Sequence, residues 1–339
     1  MGRSRSRQKG NNRHENRQLK SHSKQNYRGW KATLFEVIDK PLKVSMSCGK
    51  RVSYATQAAK KQVLVNGFKR LRELGYKLPD VRGFKNKHMK VLVQDWEKRN
   101  LSASTIQNRI SIFRNFAEWI GKPNMIGASV DYVSAPEKAT RHYAAEEDKS
   151  WSGQNVDAMA KIQEVVKRDK WVAVQLELQY RFGLRKKESQ LLQPHGADKG
   201  AYLAVSHGTK GGRERTVSID KPEQRELLER AKSMVGLNQS MIPPEYKTYV
   251  QWKNHYNYVC KKEGITRKDG IVSHGLRHEY ANKLSKEITG QDSPIKGGDY
   301  SKVSKELDRK ARQDIAEQLG HSRYTITSAY IGSTSRQKK

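Results

Sequence analysis

The chain is poor in cysteine and has no long apolar run. Its 339 residues include two cysteines, Cys48 and Cys260, which form neither a metal-type spacing nor a disulfide framework. No stretch approaches the ~20 consecutive apolar residues that cross a bilayer, and no apolar segment follows the basic N-terminus. These absences disfavour a zinc finger, a disulfide-stapled secreted domain and a membrane protein.

Acidic side chains are also scarce. The chain has 35 Asp and Glu against 67 Lys and Arg, a formal net charge of +32. A charge this one-sided repels itself and predicts a polyanionic partner, with nucleic acid as the first candidate and a membrane surface as the weaker one. We find no spaced carboxylate set suited to two divalent ions, which disfavours a metal-dependent nuclease or transposase. We therefore expect neither a metal nor a cofactor.

Charge and periodicity divide the first half of the chain into three parts. Residues 1–30 hold nine basic residues and one acid, so we predict a disordered arm on the DNA backbone, with a solubilising tail as the alternative. Residues 31–125 are predicted to form a helical DNA-binding domain. Its clearest helix carries Ile106, Ile110 and Phe113 on one face, behind a cap at Ser102 or Ser104. Residues 126–150 show little periodicity and are predicted to be a linker.

Basic side chains lie between the apolar positions of the helical domain. We predict that these faces follow DNA phosphates; plain solvated faces are the alternative. The candidate contacts are Lys60, Lys61 and Arg109.

Residues 151–339 show a mixed pattern. Short strands are predicted at 202–205 and 215–219, joined by a turn-rich segment with Lys210 at its tip. Helices are predicted at 156–180, 221–235, 246–263, 275–288 and 303–319. The expected fold class is mostly α with a small β-hairpin.

Four short motifs follow one another in this second half. They are Gly-Leu-Arg-Lys-Lys-Glu at 183–188, Thr-Lys-Gly-Gly at 209–212, His-Gly-Leu-Arg-His at 274–278 and Leu-Gly-His-Ser at 319–322, with Tyr330 nine residues after the last histidine. Singly, each is typical of surface or packing residues. Together and in this order they resemble the tyrosine recombinase (phage integrase) family. The stretch Leu101–Ile106 and the apolar helix it opens are similar to that family's core-binding domain.

The resemblance implies both a fold and a reaction. The fold is a helical, SAM-like core-binding domain and an α+β catalytic domain that form a C-shaped clamp on DNA. The reaction is DNA strand cleavage by a tyrosine hydroxyl, leaving a covalent 3′-phosphotyrosine and a free 5′-hydroxyl without ATP or metal. The implied catalytic residues are Arg185, Lys210, His274, Arg277, His321 and Tyr330, with Glu188 in support.

Each implied role matches the chemistry of its residue. Tyr330 is the nucleophile, and Arg185 and Arg277 would stabilise the charge that builds on the phosphate. His274 is the implied general base and Lys210 the general acid for the leaving 5′-oxygen. His321 would hold the phosphate.

Other residues near the motifs have weaker assignments. Glu188 is expected to orient His274 or an arginine. Arg213 and Arg215 are expected to contact phosphates. His278 is expected to pack rather than act as a second base. Tyr324 is a rival nucleophile disfavoured by its spacing.

The resemblance also sets expectations for biology. We expect a recombinase that integrates or excises a phage or other mobile element. It should act on double-stranded DNA as a homo-tetramer, be monomeric when free and work with an accessory DNA-bending protein. The expected location is the prokaryotic cytoplasm, near the nucleoid. A type IB-like topoisomerase, a Xer-like chromosome or plasmid resolvase and a non-catalytic regulator remain alternatives.

One segment departs from the family pattern. Arg277 and His321 are separated by 43 residues, more than the resemblance leads us to expect. The excess lies near residues 286–306, which we call the insertion, and we expect a loop there that could serve subunit contacts.

Overall fold

The computed structural model describes residues 27–45, 49 and 51–334. They fall into two compact units that divide between Arg141 and His142, inside the predicted linker. Most of the predicted arm, up to residue 26, lies outside the described residues, as does Cys48.

In the part of the first unit that the structure describes, there are four α-helices. They are α1 (Trp30–Ile38), α2 (Tyr54–Glu73), α3 (Asn86–Lys98) and α4 (Ala103–Trp119). Ser102 caps α4 by accepting a hydrogen bond from the backbone of Thr105, so the first of the two predicted caps is used. The core is aromatic, with Phe68, Phe84 and Phe113 fully or nearly fully buried. No helix is predicted from the sequence at α1, since nine residues hold too few turns for a periodic pattern to stand out.

The segment after α4 also belongs to this unit. It contains 3-10 turns at Ser129–Tyr132 and Pro136–Ala139. Tyr132 and Ala139 are buried, and the side chain of Gln107 donates a hydrogen bond to the carbonyl of Ala139. Much of the predicted linker is therefore folded onto the first unit.

The second unit contains nine helices and one hairpin in the described residues. Its elements are α5 (Ala158–Arg168), α6 (Lys170–Phe182), α7 (Lys186–Leu191), α8 (Pro194–Ala197), β1 (Tyr202–Val205), β2 (Arg215–Ser218), α9 (Pro222–Ser233), α10 (Tyr249–Lys262), α11 (Gly275–Thr289), α12 (Lys305–Gln318) and α13 (Ser328–Ile331). The single helix predicted over 156–180 is wrong. Asp169 breaks it, because its carboxylate accepts hydrogen bonds from the backbone N–H groups of Trp171 and Val172 and so starts a new helix.

The two strands pair antiparallel, with Tyr202 opposite Ser218 and Val205 opposite Arg215. Leu203 and Val217 point into the core, and a 3-10 turn at Lys210–Gly212 lies in the connection. A mostly helical fold with one small hairpin, as predicted from the sequence, is confirmed.

Two further observations concern the described residues. None of their helices combines the length and apolar character needed to cross a bilayer. Cys260 is a free, buried thiol, and burial raises its pKa to about 12.

Candidate active site

The C-terminal end of α12 gathers three arginines. The carbonyl of Leu319 accepts hydrogen bonds from Arg277 and, at 3.3 Å, from Arg185. The carbonyl of Gln318 accepts one from Arg215 Nε at 2.6 Å. The last carbonyls of a helix have no partner within the helix and carry its negative dipole end, so they attract guanidinium groups. The Leu-Gly-His-Ser motif therefore begins where the end of α12 contacts Arg185 and Arg277 of the other motifs and Arg215 of β2.

Glu188 is the carboxylate of this cluster and is fully buried. It accepts two hydrogen bonds from Arg185, at 2.6 Å from the backbone N–H and at 2.7 Å from the guanidinium, and two at 2.8 Å from Arg215. Burial opposes its ionisation, but the hydrogen bonds from Arg215 and the charges of both arginines outweigh that cost and lower the pKa of Glu188 to about 2. The sequence predicts that Glu188 orients His274 or an arginine; its partners here are arginines.

Arg215 corrects a prediction from the sequence. Its side chain is only 3% exposed and is fully used by Glu188 and the Gln318 carbonyl, so it cannot be the phosphate contact that we expected. The signal for this was present in β2. Side chains alternate along a strand, and Arg215 lies two residues from Val217 and so shares its buried face.

The pairing of Glu188 predicts a pH-dependent contribution to stability. In the folded state the pKa of Glu188 is about 2, below its value in the unfolded chain. The ionised carboxylate therefore stabilises the fold fully above the unfolded pKa, and this stabilisation is lost as the pH falls towards 2. We expect Glu188→Gln to lower the free energy of unfolding at pH 7 by about 3 kcal/mol, because it leaves Arg215 buried without its counter-charge. Urea unfolding at pH 7 and at pH 3 measures this. The difference in free energy of unfolding between the variant and the unaltered protein should be smaller at pH 3.

The exposed Glu164 provides the control. It pairs only with Lys161 on the surface of α5, so Glu164→Gln should change the free energy of unfolding little at either pH. A Glu188→Gln variant as stable as the Glu164→Gln variant at pH 7 would contradict the assignment of Glu188 as the anchor of Arg215.

Arg277 lies at the centre of the cluster and has no exposed surface. Its guanidinium donates to the carbonyls of Gly183 and Leu319, and no carboxylate of the described residues pairs with it. Burial lowers its pKa to about 10, but it remains a cation at neutral pH. A buried cation without a counter-charge is costly, and such a site favours an anion.

Gly183 allows this close contact. It ends α6 with φ of +57°, which glycine adopts without steric cost. A Cβ at this position would lie 2.6 Å from Tyr280 and 2.9 Å from Leu319. The glycine of the Gly-Leu-Arg motif thus lets α6 approach α11 and α12 closely and presents its carbonyl to Arg277.

The hydroxyl of Tyr330 lies between Arg277 and His321. Arg277 Nε is 3.4 Å and His321 Nε2 is 3.2 Å from the phenolic oxygen. Arg277 also lies 3.4 Å from His321 Nε2, and because a guanidinium only donates, that nitrogen is an acceptor and a neutral ring carries its proton on Nδ1. Enclosure, then the charges of Arg277 and Arg185, lower the pKa of His321 to about 4. The tyrosine hydroxyl can therefore donate to His321 while it accepts from Arg277.

The two histidines of the His-Gly-Leu-Arg-His motif are placed differently. His274 is exposed at the start of α11, with its ring centroid 6.2 Å from that of Tyr330 and no hydrogen bond to it. Partial desolvation of the ring by its neighbours, followed by the charges of Arg277 and Arg185, lowers the pKa of His274. His278 is buried with its ring centroid 4.8 Å from that of Tyr330. His321, rather than the predicted base His274, is thus within hydrogen-bonding distance of the hydroxyl.

The remaining candidates of this unit lie at its surface. Lys210 and Arg213 are exposed in the connection between β1 and β2. Tyr324 is 41% exposed and its ring lies beside Arg309. Tyr330 is therefore buried and makes polar contacts, whereas its rival Tyr324 is exposed.

The predicted DNA contacts of the first unit are half-buried on α2 and α4. The ammonium of Lys61 is 4.2 Å from the ring centroid of Phe35, and Arg109 is 5.2 Å from that of Trp96. These contacts hold the basic groups over aromatic rings. Their role with DNA stays a prediction.

Across both units, the described residues contain no group of three or more His, Cys, Asp or Glu placed to hold a metal ion.

Two family models match the chain, one in each of its two units. Residues 40–126 match the N-terminal domain of phage integrases, and residues 148–283 match the integrase domain. The chain belongs to the tyrosine recombinase family. The matched ranges contain Arg185, Lys210, His274 and Arg277. His321 and Tyr330 lie beyond them and rest on the geometry given above.

Solved structures of family members have the same fold. A lambda integrase dimer bound to a COC′ core site is 16% identical with a TM-score of 0.54, over 89% of this chain and 96% of that chain. A lambda integrase tetramer bound to a Holliday junction is 15% identical with a TM-score of 0.53, over 96% and 90%. A Tn1549 transposon integrase with transposon right end DNA is 14% identical with a TM-score of 0.57, over 89% and 97%. No curated protein matches the chain.

Proposed function

We propose that this tyrosine recombinase cuts and rejoins double-stranded DNA through a covalent 3′-phosphotyrosine at Tyr330, and that it integrates or excises a phage or other mobile element. The observation that carries the proposal is the position of the Tyr330 hydroxyl between the Arg277 guanidinium and the acceptor nitrogen of His321. A nucleophile, a group that takes its proton and a donor for developing negative charge then lie within one hydrogen-bonded cluster.

The arginines provide the phosphate site. Arg185 is partly exposed and shares the Leu319 carbonyl with the buried Arg277, and Glu188, which pairs with Arg185 and Arg215, neutralises only one of the three positive charges. The hydroxyl of Tyr330 and the ring of His321 both contact Arg277, so a DNA phosphate bound at this guanidinium would lie beside the nucleophile and the group that takes its proton. Planar guanidinium groups suit the non-bridging oxygens of a phosphate in the transition state.

The cleavage step then balances as follows. The Tyr330 oxygen forms a bond to phosphorus and its proton passes to His321, which is neutral at pH 7. The bond from phosphorus to the 5′-oxygen breaks, and Lys210 donates a proton to that oxygen. His274, at the exposed start of α11, contacts the phosphate. Rejoining is the reverse reaction with a 5′-hydroxyl from another strand, so it needs no ATP.

DNA as the substrate and assembly into a tetramer are part of the proposal. The related lambda and Tn1549 integrases were solved with DNA, one of them as a tetramer on a Holliday junction, and the net charge of +32 on this chain is consistent with such a partner.

Trapping the covalent complex tests the proposal. A duplex that carries the element's own junction, nicked close to the cut, should lose the short 5′-hydroxyl fragment and accumulate protein on the 3′ end. Peptide mapping of the adduct should give Tyr330. A protein joined to the 5′ end, or no adduct, would contradict the proposal, and relaxation of a plasmid without such a junction would favour a topoisomerase.

Lys210 can be tested by changing the leaving group. We expect Lys210→Ala to slow cleavage of normal DNA by about a hundredfold, because the 5′-oxygen then leaves without a general acid. DNA with sulfur at the bridging 5′ position should be cut at nearly the rate of the unaltered protein, since a thiolate leaves without a proton. Single-turnover cleavage of both DNAs measures this.

Arg213→Ala is the matched control, since Arg213 is exposed in the same connection. It should affect both DNAs equally. A Lys210→Ala defect of the same size on normal and sulfur-containing DNA would remove Lys210 as the acid.

A further inference from the structure

The insertion packs against the segment that carries Tyr330. Its 3-10 turn Pro294–Lys296 contacts α13, and Gly332 at the end of α13 lies directly against Ile295. A Cβ at Gly332 would meet the backbone nitrogen of Ile295 at 2.9 Å, and Gly332 has φ of +81°. The nucleophile segment therefore ends in a turn that fits only a glycine and is backed by the insertion.

Lys296 fixes the other side of this turn. Its ammonium lies 2.9 Å from the carboxylate of Asp148 and hydrogen-bonds the hydroxyls of Ser150 and Ser152 at 3.2 and 2.8 Å. Both charged side chains are largely buried, at 21% and 14% exposed. A lysine with three oxygen partners is held far more firmly than an exposed surface pair.

Residues 148–152 are in turn attached to the helix that carries Arg277. The hydroxyl and the backbone N–H of Ser152 both donate to the carboxylate of Glu279 on α11, at 2.8 to 3.0 Å. A continuous set of contacts thus leads from α11 through Ser152 to Lys296, and from the neighbouring Ile295 to Gly332. It joins the helix of the phosphate-binding Arg277 to the segment of the nucleophile.

The Tyr330 segment has two further attachments. The carbonyl of Ser328 accepts a hydrogen bond at 2.8 Å from the backbone of Ala145, and Arg312 on α12 donates to the carbonyl of Gly332 at 3.2 Å. Ile331 is fully buried. The segment is therefore held by α12, by the chain just before residue 148 and by the insertion.

We propose that the insertion is a positioning element for the nucleophile, in which Lys296 anchors the turn that holds Gly332 and so sets Tyr330 against Arg277. The catalytic part of this inference rests on the proposed function. A misplacement of about 1 Å at a reacting atom can cost up to a hundredfold in rate, so loosening the turn slows cleavage without touching DNA.

Hydrogen exchange of the full-length protein tests the anchor without any need for activity. Lys296→Met keeps the length of the side chain but removes its charge, and the amides of residues 327–332 should exchange about tenfold faster than in the unaltered protein. Lys296→Arg should restore protection, because a guanidinium reaches the same oxygens. Lys302→Met is the matched control, since Lys302 lies in the insertion but is 69% exposed and pairs only with Asp299.

Cleavage under single-turnover conditions, with saturating DNA, tests the consequence. Lys296→Met should form the covalent adduct roughly tenfold to a hundredfold more slowly at unchanged DNA affinity, measured at a temperature where its melting curve shows the second unit folded. Sulfur at the bridging 5′ position should not rescue it, unlike Lys210→Ala. Gly332→Ala should show the same pattern.

The outcomes separate the two proposals. Unchanged exchange at 327–332 in Lys296→Met, or exchange that rises equally throughout the unit, overturns the positioning role. Faster exchange with unaltered cleavage overturns the link to catalysis. Absence of an adduct in the unaltered protein overturns the proposed function, while the exchange result still decides whether Lys296 anchors the segment.

Discussion

Tyr330→Phe is expected to abolish the covalent attachment of the protein to DNA while leaving DNA binding nearly unchanged. The substitution removes one oxygen, which is the atom proposed to attack phosphorus. The aromatic ring remains and keeps its packing beside His278 and within the buried cluster of Ala281 and Leu319. Loss of the long hydrogen bonds to Arg277 and His321 should cost only about 1 kcal/mol of stability.

Adduct formation on a nicked duplex, read by denaturing gel, measures the effect, and gel shift measures binding. Tyr324→Phe is the control, because Tyr324 also follows His321 closely but is exposed at the surface. That variant should form adduct at the normal rate. Adduct that persists in Tyr330→Phe and disappears in Tyr324→Phe would reverse the assignment of the nucleophile.

Arg277→Lys should lower the rate of cleavage by roughly a thousandfold, although it keeps a positive charge. The guanidinium of Arg277 contacts the carbonyls of Gly183 and Leu319 and the Tyr330 hydroxyl at once. An ammonium group cannot reproduce that planar fork, so it can neither hold its position nor offer two parallel donors to a phosphate.

Single-turnover cleavage measures this effect, with melting temperature to confirm that the unit remains folded. Arg213→Lys is the control, because Arg213 is exposed and makes no comparable set of contacts. It should cleave at nearly the normal rate. Cleavage by Arg277→Lys within tenfold of the unaltered protein would show that charge alone is sufficient at this position.

The elements of the fold were largely predictable from local pattern. Periodic apolar positions predict α4 and α12, and alternation with a turn-rich connection predicts the hairpin. The break at Asp169 was not predicted, because the apolar pattern continues through it and only the carboxylate, acting as a helix cap, ends one helix and starts the next. The helix α11 ends at Thr289, one residue beyond its predicted end, and the 3-10 turn of the insertion packs against α13 of its own unit.

The residues that form the site could be predicted from the sequence, but their contacts with one another could not. The motifs and their order indicate which residue types meet, and Arg185, Arg277, His321 and Tyr330 do lie together. The motif order does not reveal which histidine lies at the tyrosine hydroxyl.

The sequence by itself determined which charged and reactive residues this protein has. The arginines, the histidines, a late tyrosine and a net charge of +32 can all be read from it, and the charge predicts a polyanionic partner. Tertiary structure alone decided that the side chain of Arg215 is fully used by Glu188 and the Gln318 carbonyl, and that Arg277 is buried without a carboxylate partner among the described residues. Those choices depend on contacts between residues far apart in the chain, 103 positions for Arg215 with Gln318 and 53 for Arg277 with Tyr330. Local pattern can indicate that a side chain is buried, but it does not identify a partner at such separations, and the cost of an unpaired charge arises only once the helices have packed.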